Sequence, residues 1–294
     1  MRVMIAGASG LIGTSLIPHL RQNGHEVLRL VRREPHAPDE RGWDPPAGRV
    51  QDGAMEGVDA IVNLCGVGIA DRRWSGARKQ AIKDSRVEPT EVLAASAAAH
   101  DIPTLINASG INYYGPTGDR QVDETAPVGT GFLAEVCRDW EAATAAAQGS
   151  SRVVMLRTGA VMSPSGGMLG KLRPLFKMMV GGRIGDGRQY LPWISLDDEI
   201  GAITFALEHT ELRGPVNFVA PEQVTNAEFT RALGRAVHRP TPFPVPAPAL
   251  RALLGEMADE MVLTGPRAVP GVLTTAGYPF RHPTLADALG AAVD

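Results

Sequence analysis

Gly7, Gly10 and Gly13 stand at intervals of three in the segment GASGLIG near the amino terminus. This is the residue type a pyrophosphate requires, because side chains would keep its oxygens away from backbone N–H groups. One glycine permits a tight turn, one lets the phosphates approach, and one allows a strand and the following helix to pack closely. The spacing is one residue longer than the usual G-x-G-x-x-G, so the physical roles carry the reading rather than the pattern. Ser9, Leu11 and Ile12 lie inside the same loop and contribute its donors. An ordinary glycine-rich turn is the alternative. After the next apolar run, where an NAD site places Asp or Glu on the ribose hydroxyls, the chain has Arg32 and Arg33. Two guanidinium groups suit a 2′-phosphate, so the expected cofactor is NADP(H), with Arg32 the better placed because it follows the run directly. A solvated basic turn is the alternative here.

Such a loop works only between a strand and a helix. Val3 to Ala6 is a short apolar run and Leu11 to Asn23 has helical spacing, closed by Gly24, with Pro18 expected to kink it. His25 to Val31, Asp59 to Leu64, Thr104 to Ala108 and Val153 to Leu156 read as further strands. Ser75 to Ala99 and residues 131–147 read as the helices between them. Apolar runs without alternation, separated by helices, indicate a parallel sheet covered on both faces: an α/β fold of the Rossmann-type, doubly wound kind. From Met162 the pattern loosens into SPSGG, GGRIGDGRQ and RPTPFPVPAPA, around short helices at Asp197–Glu208 and Asn226–Val237. The division expected is a nucleotide-binding domain over 1–161, joined by sheet strands from later segments. A smaller substrate lobe and C-terminal domain follow over 162–294, closing over the cofactor.

Composition narrows the partners. The chain of 294 residues is 44% hydrophobic and 21% charged, with a net charge of −3 and no basic stripe or tail. That gives no electrostatic case for nucleic acid or an anionic membrane. Cys65 and Cys137 have no metal-ligand spacing, the seven histidines are scattered, and no G-x-S-x-G elbow occurs. No metal site is expected, nor a serine hydrolase. Without a signal peptide or an apolar stretch of about 20 residues, the expected compartment is a reducing cytoplasm. Alanine-rich helices fit either a monomer or a homodimer.

Together with GASGLIG and the strand ending in Val-Arg-Arg, several segments carry a resemblance. They are VNLCG (62–66), RRWSGARKQAIKDSRVEPT (72–90), NASGINYYG (107–115), FLAEVCRDWE (132–141), LRTGAVMSPSGG (156–167), GDGRQYLPWISLDDEIGAI (185–203), GPVNFVAPEQVTNAEFTRALG (214–234) and GPRAVPGVLTTAGYPFRHPTLADAL (265–289). Nearly end to end, the chain resembles the epimerase-like subgroup of the extended short-chain dehydrogenase/reductases, with that subgroup's small C-terminal domain. The resemblance implies a fold more securely than a reaction. It adds Leu64, Cys65, Gly66 and Arg86 to the expected cofactor contacts. It also implies substrate contacts at Lys171, Arg188, Gln189 and Trp193, where a loop held by local hydrogen bonds is the alternative.

The resemblance also exposes a gap. Members use Tyr with Lys four residues later on one helix face, plus a Ser or Thr from the preceding strand. Ser109 matches that Ser/Thr, or merely closes a strand-end turn. Tyr114-Gly115 matches a structural Tyr-Gly. With Glu141 as the helix acid, Leu133 and Cys137 fall where Tyr and Lys belong, and no Tyr-x-x-x-Lys occurs anywhere. The candidate catalytic residues are therefore Ser109, Tyr114 and Arg157. Tyr113 could substitute from the loop, Ser85 and Arg86 could supply a hydroxyl and a cation, and Arg157 could clamp an anion or form a structural ion pair. Asp197-Asp198-Glu199 reads as a helix amino terminus with favourable acids. Two functions follow. One is an NADP(H)-dependent oxidoreductase or epimerase acting on a small polar substrate; the other is a catalytically silent redox sensor or scaffold that kept the cofactor.

Overall fold

The computed structural model describes residues 1–293. The first half alternates strand and helix: β1 (Arg2–Ala6), α1 (Leu11–Gln22), β2 (Glu26–Val31), β3 (Glu40–Asp44), β4 (Arg49–Val50), β5 (Ala60–Asn63), α2 (Gly76–Ala99) and β6 (Thr104–Gly110). It continues with β7 (Gln121–Val122), α3 (Phe132–Ala142), β8 (Arg152–Thr158) and β9 (Ala160–Ser163). The second half adds α4 (Gly167–Lys177), β10 (Trp193–Ser195), α5 (Leu196–Glu208), β11 (Gly214–Phe218), α6 (Asn226–Ala236), α7 (Ala247–Leu254), β12 (Arg267–Ala268), α8 (Gly271–Thr275) and α9 (Leu285–Val293).

Eight strands form one sheet in the order β11-β8-β6-β5-β1-β2-β3-β4, parallel except for the β3–β4 hairpin. The strand order reverses between β1 and β5, which is where an open α/β sheet leaves a crevice for a ligand. Alternation along the strands divides the core in two. Val3, Ile5, Val62 and Ile106 face Leu16 and Leu20 of α1 and Ile200 and Ile203 of α5. Met4, Ala6, Ile61 and Leu105 face Leu93, Ala94 and Ala97 of α2. Because both faces are covered, the strands need no polar side and read as continuous apolar runs.

A separate core lies between β9–β10 and helices α4, α6 and α9, around Met162, Leu169, Phe176, Trp193, Phe229, Leu233 and Leu289. The carboxylate of Asp198 fastens the C-terminal segment to α5. It is fully buried and accepts from Ser195 Oγ at 2.8 Å, Arg281 N at 2.7 Å and His282 N at 2.9 Å. Helix α1 runs continuously through Pro18, and α2 through Pro89. Among the described residues, no helix is long and apolar enough to cross a membrane.

Candidate functional site

The glycine loop joins β1 to α1 at the reversal point. Gly7 has φ +80°, and a Cβ there would sit 2.6 Å from the Leu64 carbonyl oxygen. A Cβ on Gly13 would meet the Gly7 carbonyl oxygen at 2.6 Å, so α1 packs against the turn at a distance only glycine allows. Gly10 is exposed at the N-cap of α1, without a side-chain cap and with no acid in the first turn. The helix therefore presents unfilled N–H groups and a positive dipole end, the environment a phosphate takes. Ser9 is exposed, and Leu11 and Ile12 are half-buried behind it. The opposite wall follows β5. Leu64 N donates to Ala6 O at 2.9 Å, and Cys65 N to Asn63 Oδ1 at 3.1 Å. Asn63 is held in turn by a buried network with Asn107 and Thr90.

The two arginines after β2 differ. Arg33 is tied to Glu40 by two hydrogen bonds, 2.6 and 2.9 Å, and that contact, with the His36 N–H, holds the Glu40 carboxyl down at about 2. Arg32 is exposed and makes no hydrogen bond or ion pair among the described residues. Arg32 is therefore the guanidinium left for a 2′-phosphate. The Cys65 thiol, half-buried close by, is pushed up to about 12 by burial, against the opposing pull of Arg32's charge.

Arg86, on α2, lies against Gly66: a Cβ on that glycine would be 3.1 Å from the guanidinium carbon. It donates to Ile82 O at 2.9 Å and Val67 O at 3.1 Å, and lies 5.1 Å from the Trp140 ring centroid. No carboxylate pairs with it among the described residues. Burial lowers its pKa to about 10.

The catalytic candidates meet one another below the sheet's C-terminal edge. Ser109 is buried and donates to Glu141 Oε1 at 2.7 Å. Arg157 is 3% exposed and holds Glu141 in a bidentate pair of 2.8 and 2.9 Å, while Tyr113 stacks on its guanidinium at 3.5 Å. Burial opposes the charge on Arg157, but Glu141 and Tyr114 outweigh it and raise its pKa. Of the two readings open for Arg157, the geometry is that of a structural ion pair, not a free anion clamp. Tyr114 is equally committed, donating to Asn217 Oδ1 at 2.7 Å and accepting from Arg157 at 2.9 Å. Burial pushes its hydroxyl up to about 12. Cys137 is a buried core residue, its thiol also raised to about 12 by burial and then by the Glu141 charge.

The four residues expected at the substrate do not converge. Trp193 is fully buried and donates to Glu222 O, so it packs the second core rather than a ligand. The Gln189 amide bonds Val262 O at 3.0 Å, and Arg188 projects into solvent. Only Lys171 reaches the crevice rim, 3.4 Å from Asp71 in the segment after β5. The acids Asp197, Asp198 and Glu199 do open α5, but the last two are fully buried. Glu199 accepts from Thr158 Oγ1 at 3.0 Å, its other oxygen has no partner among the described residues, and burial raises its pKa to about 8.

Sequence reasoning missed Glu260. From a single π-turn, Ala258–Val262, its carboxylate accepts from Phe132 N at 3.1 Å and Leu133 N at 3.2 Å, at the start of α3. Beside it lies a cavity of about 240 Å³ lined by Asn112, Thr130, Leu133, Asp259, Glu260 and Thr264, with backbone of Gly115, Gly131 and Gly265. No periodicity or motif marks a lone Glu in an irregular segment as a partner for a helix more than a hundred residues earlier.

The chain is similar to known proteins over nearly its whole length. Residues 3–219 match the model of the NAD dependent epimerase/dehydratase family, and residues 245–292 match a domain of unknown function. An epimerase family protein of Mycobacterium bovis is 56% identical over 289 residues, covering 98% of this chain and 96% of that one. The crystal structure of the human epimerase family protein SDR39U1, determined with NADPH, is 33% identical, with a TM-score of 0.91 over 100% of this chain and 99% of that one. A nucleoside-diphosphate sugar epimerase structure from Corynebacterium glutamicum is 36% identical, with a TM-score of 0.82 over 99% of this chain and 58% of that one. With a glycine loop at the sheet's reversal point and a family match over most of its length, this chain belongs to the NAD dependent epimerase/dehydratase family.

Proposed function

We propose that this protein binds NADP(H) and acts as an oxidoreductase or epimerase on a small polar substrate, through an active site without the Tyr–Lys pair. The observation that carries the cofactor choice is the contrast after β2: Glu40 occupies Arg33, and nothing among the described residues occupies Arg32. A 2′-phosphate gives Arg32 the charge-assisted partner it lacks. The uncapped start of α1 takes the pyrophosphate, and the close packing at Gly7 and Gly13 keeps side chains out of its path. Bound there, the cofactor supplies a hydride acceptor or donor.

The chain's own groups supply the polar environment. Arg86 is the fixed cation that α3 lacks at Cys137. A half-buried guanidinium whose partners are two carbonyls and the Ser85 hydroxyl, with no carboxylate among the described residues, favours an arriving anion or electron-rich oxygen. Ser109 is held by Glu141 with its hydroxyl proton already donated, so it serves as an acceptor or as a structural tie. That last arrangement, with Leu133 and Cys137 on α3, favours a second reading: a silent NADP(H)-binding sensor or scaffold.

Thermal unfolding in the presence of NADPH, NADP⁺, NADH and NAD⁺ tests the cofactor reading, since ligand bound only to the native state raises the midpoint. The phosphorylated pair should shift it more, and Arg32→Asp should weaken NADPH by about a hundredfold, the scale of losing charge-assisted bonds. Equal shifts with NADH and NADPH, unchanged in Arg32→Asp, would overturn it. Oxidation of NADPH by any member of a carbonyl and nucleotide-sugar panel then separates the enzyme from the silent sensor.

A further inference from the structure

We propose that the face formed by the ends of α4 and α6 docks onto an anionic phospholipid surface. Its apolar tips enter the headgroup layer and its cations meet the lipid phosphates. This goes beyond the cofactor reading and does not depend on it.

The first argument is charge. An open depression of about 570 Å³ at the carboxyl end of α6 is lined by Arg231, Arg235, His238 and Arg239, with no Asp or Glu. All four side chains are exposed, and none forms an ion pair among the described residues. Arg239 donates only to carbonyl oxygens, of Lys177 at 3.3 Å and His238 at 3.0 Å. Lys177, also exposed, is the last residue of α4. The one acid of α6, Glu228, is taken up by Thr225 in the capping box at the other end of the helix. In the sequence these cations are spread over 177–239 and hidden in a net charge of −3, so no basic stripe is visible there. Folding gathers them.

The second argument is apolar exposure beside that charge. Met178 and Val180 are 61% and 62% exposed in the turn after α4, and Phe243 is 71% exposed at a bend after α6. Val245 N donates to Arg183 O at 2.7 Å, and Gly182 lies against the Phe243 carbonyl too closely for a Cβ, so the two segments are fastened together. Large apolar side chains grouped in this way mark a surface that meets something other than water.

The third argument is backbone strain. Among the described residues three non-glycine residues have positive φ, and two are here: Met179 at +60° and His238 at +54°. Each follows the C-cap of its helix, where glycine is usual because a Cβ makes the left-handed conformation costly. The chain carries an exposed thioether and an exposed imidazole at that cost.

Shape and charge together select the occupant. The apolar side chains stand on turns rather than line a groove, which suits insertion into a headgroup layer with cations level with the phosphates. A second copy docking by the same face would bring like charges together.

The test is flotation of the full chain with vesicles of phosphatidylcholine alone and of phosphatidylcholine with about 30% phosphatidylglycerol. The chain should float only with the anionic vesicles, less so as salt is raised. Arg235→Ala should weaken binding about fivefold and Phe243→Ser about tenfold. Arg120→Ala, at an exposed arginine outside this face, should leave it unchanged. Met179→Gly should weaken binding with a thermal midpoint unchanged or higher, which a purely structural role for Met179 would not produce. Equal flotation with both vesicles, none with either, or anionic binding unaltered by Arg235→Ala and Phe243→Ser overturns the proposal. So does binding of a polyglutamate peptide through these residues without vesicle binding, which would make the partner an acidic protein. A dimer in sedimentation equilibrium that Phe243→Ser dissociates would assign the face to a second copy instead. The NADPH thermal shift, read on the same variants, should be unchanged and reports separately on the cofactor reading.

Discussion

Glu199 is a fully buried carboxyl with one hydrogen bond among the described residues, so ionising it in the folded chain is costly. Burial raises its pKa from 4.5 to about 8. The sign follows from that direction. Stability from the neutral carboxyl is fully present below the unfolded value and is lost as pH rises towards about 8. Thermal midpoints of the native chain should therefore fall between pH 5 and pH 8 relative to Glu199→Gln, then run parallel above that. Parallel curves throughout would refute the assignment. The Arg157–Glu141 pair behaves differently, because each charge compensates the other. Arg157→Met should cost about 3–5 kcal/mol by leaving Glu141 buried and unpaired, measurable by urea denaturation. Both residues were visible in the sequence, Glu141 as a helix acid and Arg157 as a strand-end cation. Their mutual contact was not, because a separation of sixteen positions across loop and strand carries no spacing rule. Arg32 and Arg33 were equally legible as a pair. Which one stays free depends on Glu40, at the start of the next strand, and only tertiary contact decides that.

At the scale of elements, the α1 loop was the part the sequence expressed most fully, since its constraints are local. The turn, the uncapped helix and the close packing all follow from neighbouring residues. Gly13→Ala should force α1 away from the turn, where a Cβ would lie 2.6 Å from the Gly7 oxygen. NADPH titration should then show weakened binding in a chain whose far-UV spectrum is unchanged. The apolar strands β1, β5, β6 and β8 were also readable, because burial on both faces leaves no polar alternation. Strand β3, with the sequence Glu-Arg-Gly-Trp-Asp, was not. It lies toward the sheet's edge, and its charged residues are held by tertiary partners such as Arg33 for Glu40. The expected helix over 131–147 ends at Ala142 as an α-helix and resumes only as a short 3₁₀ turn at Ala145–Ala147.

Across the whole molecule, several polar residues fasten the C-terminal segment to the sheet domain, Glu124 and Glu222 each accepting one of its N–H groups and Asp198 gathering the most partners. Asp198 gathers Ser195, Tyr278, Arg281 and His282 around one buried carboxylate. Asp198→Ala should release that segment, so trypsin should cut at Arg281 faster than in the native chain while cofactor binding persists. Equal cleavage rates would show that apolar packing and the bonds to Glu124 and Glu222 hold it without Asp198. The same long-range closure has a consequence in time. The crevice walls at Gly7 and Leu64 are complete once the first strands have paired, but the sheet waits for β11, and Glu260 must then reach back to α3. Contacts of such sequence separation form late, because the loop entropy must be overcome before they stabilise anything. A chain emerging from the ribosome, or refolding from urea, should therefore recover its cofactor-binding wall first. The Glu260 cavity would be the last compartment to close, so an interrupted chain would be a nucleotide binder without its pocket.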